Sequence, residues 1–421
     1  MAYSESSVRN TLESVVVENS SFDPHLDLEK ETCDFLSFIF NELKECFVDP
    51  KIPHKVHRGI PENHEFEDGD SHLYPREIQD YIKRMDTLTY RYNFKIGERH
   101  ITADLAYFKD EPYIMKPNEI IKYIYCWLSM ATKNISPSCS RKLHIQLILT
   151  NFKKQMLDHT DTDDISANNV NSAFTTSCSE ETSIVIYRSE EWFKVFIHET
   201  FHCLGLDFSH VRHDCSSKLN EHFHFRGVDY KVFESYCETW ARIINVCFSS
   251  YNSLPEMTSS HKKFSTEYLE FTSLFSYYMT YEMLFSALQL NKVLGHQEID
   301  ISVFSKNTPK SSSVSLYKEN TAVVSYYIFS GILVCNFQSF IHWCTSHHKK
   351  GKSLFQFHDT KESIVLYCDL IVNLSKKHKF RQMISYIKDR TQHLYLMYPS
   401  TMMMSYIPLP LYDTSEIKII V

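Results

Sequence analysis

The sequence predicts an α+β protein, in which a mixed sheet supports one buried helix and a mainly helical C-terminal region follows. Three observations predict this class. Strand-like and helix-like patterns alternate as far as residue 200, the helix-like stretch from Trp192 to Leu204 has almost no polar face, and aromatic-rich helical patterns follow residue 250. We therefore expect an N-terminal helical and linker region at residues 1–85, a central domain at 86–250 and a helical region at 251–421.

The N-terminal third begins with a helix and continues into a hairpin. Apolar residues at helical spacing predict an amphipathic helix from Leu28 to Phe47. The acidic, turn-rich stretch Pro61–His72 has the composition of a linker. Apolar residues then alternate in Tyr90–Ile96 and again in Ile101–Tyr107, with Gly97 between the two runs, which is typical of a β-hairpin.

The middle of the chain alternates helix and strand. Pro117–Ala131 predicts a helix with proline in its first turn, and His144–Leu149 predicts a buried strand. A polar loop, Asp158–Cys178, separates that strand from the next, Ile184–Tyr187. Further helices are predicted at Val232–Phe248, Phe264–Val293, 321–345 and Lys361–Lys376, and the tail Pro408–Val421 is expected to be extended.

Composition excludes several classes of function. The net charge of −8 and the lack of a basic stripe argue against nucleic-acid binding, and 8 glycines without a phosphate-loop motif argue against nucleotide binding. Twelve cysteines without a Cys-x-x-Cys pair, and an N-terminus without a secretory signal, predict free thiols in a reducing, cytosolic-type compartment. Thr321–Ile341 carries no formal charge, but its Ser, Asn and Gln residues favour a buried helix over a membrane span.

The apolar helix carries His-Glu-Thr-Phe-His at residues 198–202. Helical residues four apart share a face, so His198 and His202 would offer two imidazoles to one metal ion, with Glu199 beside them to accept a proton. The alternative is that both histidines are core residues hydrogen-bonded to other parts of the protein. Burying two histidines and a glutamate without partners would cost several kcal/mol, and a bound Zn²⁺ removes that cost. For the helix ends we expect Ser189 as N-cap, acidic residues 190 and 191 in the first turn, and Gly205 at the end.

A catalytic zinc usually takes a third protein ligand. In one class of zinc peptidases the motif extends to His-x-x-Gly-x-x-His, which would place the third ligand at position 208. That residue is Phe208, so this chain lacks the longer motif. Glu234 and Glu238 share one face of the helix predicted at Val232–Phe248, and either could complete the site. The stretch Met404–Tyr406 echoes a methionine turn that one class of zinc peptidases keeps near its metal, but it lies so far downstream that we interpret it as chance.

The segment Glu234-Ser-Tyr-Cys-Glu238-Thr-Trp-Ala resembles the gluzincin metallopeptidases, such as the anthrax lethal factor-like peptidases. This resemblance implies a zincin-like catalytic domain, with Glu234 as the third zinc ligand and Glu238 hydrogen-bonded to a ligand histidine; the reverse assignment stays open. Between about Val170 and Asn245, including Val-Asn-Ser-Ala-Phe at 170–174, the chain also resembles uncharacterised proteins of nucleocytoplasmic large DNA viruses. That likeness implies a location in the cytoplasm of an infected cell or in the virion.

Together these features predict a zinc-dependent peptidase that acts on a protein or peptide, with Glu199 as general base. The strand Ile184–Tyr187 is expected at the edge of the cleft, paired with an extended substrate. Tyr230, His222 and His224 are candidates for stabilising the oxyanion. The competing hypothesis is a virion, scaffold or binding protein that keeps a zincin fold, and a fourth protein ligand on the metal would favour it. The sequence does not set the oligomeric state.

Overall fold

The computed structural model describes residues 26–61, 74–109, 115–156, 164–211, 216–225, 228–254, 264–304, 317–347, 351–394 and 401–407. The predicted linker, apart from Pro61, and the tail at 408–421 lie outside these ranges. The hydrophobic core draws on all three predicted regions, from Phe35 in the first helix to Ile407 in the C-terminal segment.

Within the described residues, six strands form one mixed sheet in the order β1-β2-β3-β4-β6-β5. The central strands β3, β4 and β6 run parallel, and β1, β2 and β5 each pair antiparallel with a neighbour. The predicted hairpin, formed by β2 and β3, is confirmed. The strands are His54–Arg58 (β1), Thr87–Ile96 (β2), Arg99–Phe108 (β3), Lys142–Thr150 (β4), Ala173–Thr175 (β5) and Glu181–Arg188 (β6).

The strand predicted at Ile184–Tyr187 is not at the sheet edge. It is part of β6, which lies between β4 and the short strand β5, with Thr175 opposite Ile184 and Ala173 opposite Ile186. The strand is confirmed, but its expected pairing with a substrate is wrong, because β5 occupies that side of β6. β5 has only three residues and lies in a stretch whose polar composition predicts a loop. A strand this short has no measurable alternation, so only its pairing with β6 reveals it.

The helices follow the predicted pattern closely. The helix Pro117–Ala131 is confirmed at both ends, and the first helix and the two long helices after residue 230 are confirmed to within four residues at their ends. Four of the described helices were not predicted: Arg76–Arg84, Ala167–Val170, Ser216–Phe223 and His378–Leu394. The helices are Lys30–Cys46 (α1), Arg76–Arg84 (α2), Pro117–Ala131 (α3), Ala167–Val170 (α4), Trp192–Cys203 (α5), Ser216–Phe223 (α6), Val232–Asn252 (α7), Phe264–His296 (α8), Ser330–Val334 (α9), Phe337–Ser346 (α10), Lys361–Ser375 (α11) and His378–Leu394 (α12), with a π-helix at Val324–Phe329.

The sheet separates two layers of packing. On one side, α2 covers a small apolar cluster in which Tyr74 and Ile78 meet Val185 and Tyr187 of β6. On the other side, α5 packs against β5, β6 and α7, and α7 is buried along most of its length. This arrangement places the histidine-bearing helix between the sheet and the C-terminal helices, where the apolar sequence of α5 is buried on all sides.

One pair of cysteines corrects the expectation of free thiols. Cys139 and Cys178 form a disulfide that joins the chain before β4 to the chain before β6. Among the described residues, nine other cysteines, including Cys203 and Cys237, form no disulfide. The sequence gives no sign of this pair because 39 residues separate the partners and only the parallel pairing of β4 with β6 brings them together. Because disulfides are rare in reducing compartments, this pair disagrees with the predicted compartment.

The uncharged segment near residue 330 is broken. It forms the π-helix with α9, and then bends by 92° into α10. In the described residues, no single helix is long and apolar enough to cross a membrane, although this bent pair passes the same test on length and composition. Most side chains of the π-helix and α9 are buried, in agreement with the predicted packed helix.

Candidate metal centre

The start of α5 differs from the prediction. The helix begins at Trp192, its N-cap is Glu191 with φ 55°, and Ser189 contributes only its carbonyl, which accepts a hydrogen bond from the Trp192 N–H. The Glu191 carboxylate accepts the backbone N–H of Met404 at 2.9 Å instead of sitting in the first helical turn. The segment Met404–Tyr406, interpreted as chance from the sequence, thus packs on the N-terminal end of α5. Local sequence could not show this because the two segments are more than 200 residues apart.

The end of α5 follows the prediction. Gly205 adopts φ +65°, and the next residue, Leu206, donates its N–H to the carbonyl of Phe201 at 2.8 Å. This left-handed turn is the usual reason for glycine after a helix. A Cβ at position 205 would also lie 3.1 Å from Sγ of Cys139, so the disulfide lies directly against the end of the helix.

Three side chains converge between α5 and α7. Nε2 of His198 and Nε2 of His202 are 3.2 Å apart, and Oε2 of Glu234 lies 3.1 Å from the first and 3.3 Å from the second. The histidines face each other because they stand one turn apart on α5, and Glu234 meets them from the first turn of α7. All three side chains are at most 13 % exposed.

These distances suit a bound zinc ion. Nitrogen and oxygen donors at the corners of a tetrahedron around zinc, each about 2.0–2.1 Å from it, stand about 3.3 Å apart. The three observed separations are 3.1, 3.2 and 3.3 Å. In the described residues, the group contains three ligand side chains, His198, His202 and Glu234, so the donor set leaves a position for another ligand.

Each histidine has a carboxylate beside its other ring nitrogen. Asp207 Oδ2 lies 2.7 Å from Nδ1 of His202. Glu238 Oε2 lies 3.2 Å from Nδ1 of His198, a close charge contact whose angle is outside the range of a hydrogen bond. Carboxylates in these positions orient imidazole ligands so that Nε2 faces the metal. The sequence did not identify Asp207, because it lies in the irregular chain after α5.

Burial and charge act against each other in this cluster. Burial alone would raise the pKa of Glu234, but His202 and His198 hold it well below its usual range. For Glu238, burial is likewise outweighed, chiefly by Lys194 and His198, and the pKa falls to about 2. Glu199 differs, because burial dominates there and raises its pKa, although both histidines act in the opposite direction. The site therefore contains two stabilised carboxylates and one more basic carboxylate.

Two aromatic side chains border the histidines. The ring of Tyr326, from the π-helix, lies 5.9 Å from the ring of His198, and Phe233 lies 6.0 Å from His202. Tyr326 is half-buried, and burial together with Glu234 and Glu199 raises its pKa well above the ordinary value, so its hydroxyl stays protonated. Widened π-turns are frequent at functional sites. Sequence reasoning gave Tyr326 no role in the site.

The structure does not bring the predicted oxyanion residues to this cluster. The Tyr230 hydroxyl donates to Asn220 Oδ1 at 2.8 Å, and His222 Nε2 lies 2.9 Å from the hydroxyl of Ser375. His224 has a left-handed backbone, φ 56°. Across the ranges given above, no hydrogen bond, ion pair or ring contact connects any of the three with the two metal-facing histidines or their shared glutamate. Their selection depended on the polar composition of residues 210–230, but α6, which carries His222, packs against α11.

The comparisons with known proteins give no assignment. Protein-family models, curated proteins and solved structures were all searched, and none matches this chain.

Proposed function

We propose that this protein is a zinc-dependent metallopeptidase of the gluzincin type that hydrolyses peptide bonds in a protein or peptide substrate. The observation that carries the proposal is the convergence of two imidazole Nε2 atoms and one carboxylate oxygen within 3.3 Å, with a second glutamate, Glu199, next to His198 on α5. His198, His202 and Glu234 would hold the zinc. A zinc ion bound there would polarise the scissile carbonyl and lower the pKa of a water towards ~7.

Glu199 is the residue we propose as general base. Its side chain is partly exposed, whereas the adjacent His198 and Thr200 are buried. Burial raises its pKa from the usual value for glutamate, which makes the carboxylate a better proton acceptor near neutral pH. It would accept the proton of the attacking water and return it to the leaving amine.

Tyr326 replaces the residues first considered for the oxyanion. It is the tyrosine whose ring contacts His198, and its hydroxyl is free of any hydrogen bond within the described part of the chain. A hydroxyl that donates to the developing negative charge, in a site with little water, can contribute a rate factor of about 10²–10³.

An extended substrate would pair with β5. This strand, Ala173–Thr175, is the sheet edge next to β6, and α5 packs against it. Its outer backbone groups would therefore be the ones with which an added strand pairs.

The alternative role, a scaffold or binding protein that keeps this arrangement, is less well supported. A structural zinc site is normally closed by four protein ligands, and among the described residues the group has three. We also propose, from the resemblance to viral proteins, that the peptidase acts in the cytoplasm of an infected cell or is carried in the virion.

The test is to measure metal content and peptide cleavage on the same preparation. We expect about one zinc per chain and cleavage in a broad peptide library, and we expect His198→Ala and His202→Ala to lose both. His210→Ala, which removes an exposed histidine paired with Asp359, is the matched control and should change neither. Unchanged zinc content in both site variants would refute the metal centre.

A further inference from the structure

We infer that Lys194 is a positioning residue for the metal centre: its buried ammonium holds Glu238 beside His198 and so presents Nε2 of that histidine to the metal. This inference deepens the proposed function, because it rests on the same two histidines and Glu234. It concerns a side chain that does not touch the metal position itself.

Lys194 lies on the same face of α5 as the two histidines. Lys194, His198 and His202 are spaced four residues apart on α5 and face Glu234 and Glu238 on α7. Nζ of Lys194 lies 3.0 and 3.1 Å from the two oxygens of Glu238, and both side chains are at most 2 % exposed. The lysine thus contacts both carboxylate oxygens, which fixes the direction in which the carboxylate points.

A second cation, Arg242, offers Glu238 another partner if the contact with Lys194 is lost. Arg242 lies one turn beyond Glu238 on α7, where its Nε donates to Glu282 at 2.6 Å. Its Nη2 has no hydrogen-bond partner among the described residues. Glu238 is therefore held by a lysine of α5 and has, one turn along its own helix, a guanidinium with a spare donor. A buried carboxylate that loses one cation moves towards the other, since an unpaired buried charge is costly. Without Lys194, Glu238 would turn away from His198.

His202 has no such dependence. Its carboxylate partner, Asp207, lies 2.7 Å from Nδ1 and also accepts a hydrogen bond from Ser209 Oγ at 3.2 Å. That aspartate is fixed by its own loop and needs no buried lysine. The effect of Lys194 is thus specific to one of the two imidazoles.

The lysine is itself fixed by the C-terminal segment. Met404 Sδ lies 3.7 Å from Nζ of Lys194, and Glu191 Oε1, which accepts the Met404 N–H, lies 3.8 Å away. The segment Thr401–Ile407 therefore closes the remaining side of the ammonium. This explains in physical terms why a charged residue is stable in the apolar helix α5.

The experiment compares zinc affinity in Lys194→Met, Glu238→Gln and the double variant, by competition with a chelator of known affinity. We expect Lys194→Met to weaken zinc binding about 10–100-fold, the range found when a residue that orients a ligand is lost. Because Lys194 acts through Glu238, adding Lys194→Met to Glu238→Gln should weaken binding less than twofold further. Lys194→Arg keeps the charge and should recover most of the affinity. The double variant removes both charges, so it remains measurable if Lys194→Met alone does not fold.

The absorption spectrum of cobalt-substituted protein tests whether Lys194 affects the metal ligands, because a purely structural role would leave that spectrum unchanged. The visible absorption bands of bound Co²⁺ should shift in Lys194→Met and stay unchanged in Lys122→Met, the control that removes a partly buried lysine of α3 whose Nζ lies 3.8 Å from the ring centroid of Phe47. Parental zinc affinity in Lys194→Met, or fully additive losses in the double variant, would overturn the inference. Zinc bound without peptide cleavage would count against the proposed function alone, and the affinity comparison would still test Lys194.

Discussion

Glu234 and Glu238 should respond very differently to substitution, although both stand on the same face of α7. Glu234 Oε2 lies within 3.3 Å of both metal-facing imidazole nitrogens. Glu238 instead faces Nδ1 of His198, on the far side of the ring from Glu234. We therefore predict that Glu234→Ala abolishes stoichiometric zinc binding, whereas Glu238→Gln only weakens it.

The magnitudes follow from the position of each carboxylate. Four-ligand structural zinc sites bind with about 10–16 kcal/mol, so one ligand contributes about 3 kcal/mol, equivalent to about 10²–10³-fold in Kd. Losing Glu234 should cost at least that much, because only the histidines remain. Glu238→Gln keeps an acceptor beside His198 and should cost about 10-fold, the low end of the range for a ligand-orienting group.

Competition with a chelator measures both variants on one scale, and circular dichroism shows that each is folded. Glu267→Ala is the control, since it removes a buried glutamate of α8 that pairs with Lys44, far along the chain from the site. Its zinc affinity should equal that of the parent. If Glu238→Gln loses more zinc affinity than Glu234→Ala, the two roles are reversed and the assignment of the third ligand is wrong.

Two further predictions concern the residues around the ligands. Tyr326→Phe should lower kcat about 10²–10³-fold with unchanged zinc content, because the hydroxyl acts on the transition state. Steady-state kinetics on a cleaved peptide measures this, with Tyr230→Phe as the control that should leave kcat unaffected. Equal rates for Tyr326→Phe and the parent would contradict the role of Tyr326. Asp207→Asn should weaken zinc binding about 10–100-fold because it changes the orientation of His202; an isothermal titration that gives the parental Kd would contradict this.

Much of this site could be predicted because it depends on local periodicity. The four-residue spacing of His198 and His202, and of Glu234 and Glu238, gives the faces of two helices directly from sequence. The hairpin of β2 and β3 and the end of α5 at Gly205 follow from equally local signals. The structure brings the two helical faces together as that spacing suggests, with Glu234 nearer to both Nε2 atoms.

The remaining features depend on contacts between distant segments, which no local pattern encodes. β5 is recognised only by its pairing with β6. Asp207 reaches His202 because of the path of the chain after α5, and Tyr326 reaches His198 because the π-helix packs against the histidines. The N-cap at Glu191 was missed for the same reason, since the C-terminal segment that binds it is more than 200 residues away. Residues 210–230 illustrate the converse error, because polar composition near a motif does not determine where its side chains point.

The central claim, hydrolysis at this metal centre with Glu199 as base, is tested most directly by one comparison. Zinc-loaded parent and zinc-loaded Glu199→Gln are incubated with the same peptide library, and cleavage products are quantified by mass spectrometry. Glutamine matches the shape of glutamate but does not accept the proton of the attacking water. We predict one zinc per chain in both proteins, cleavage by the parent, and a rate at least about 10²-fold lower in the variant. Equal cleavage by the two zinc-loaded proteins would contradict the account.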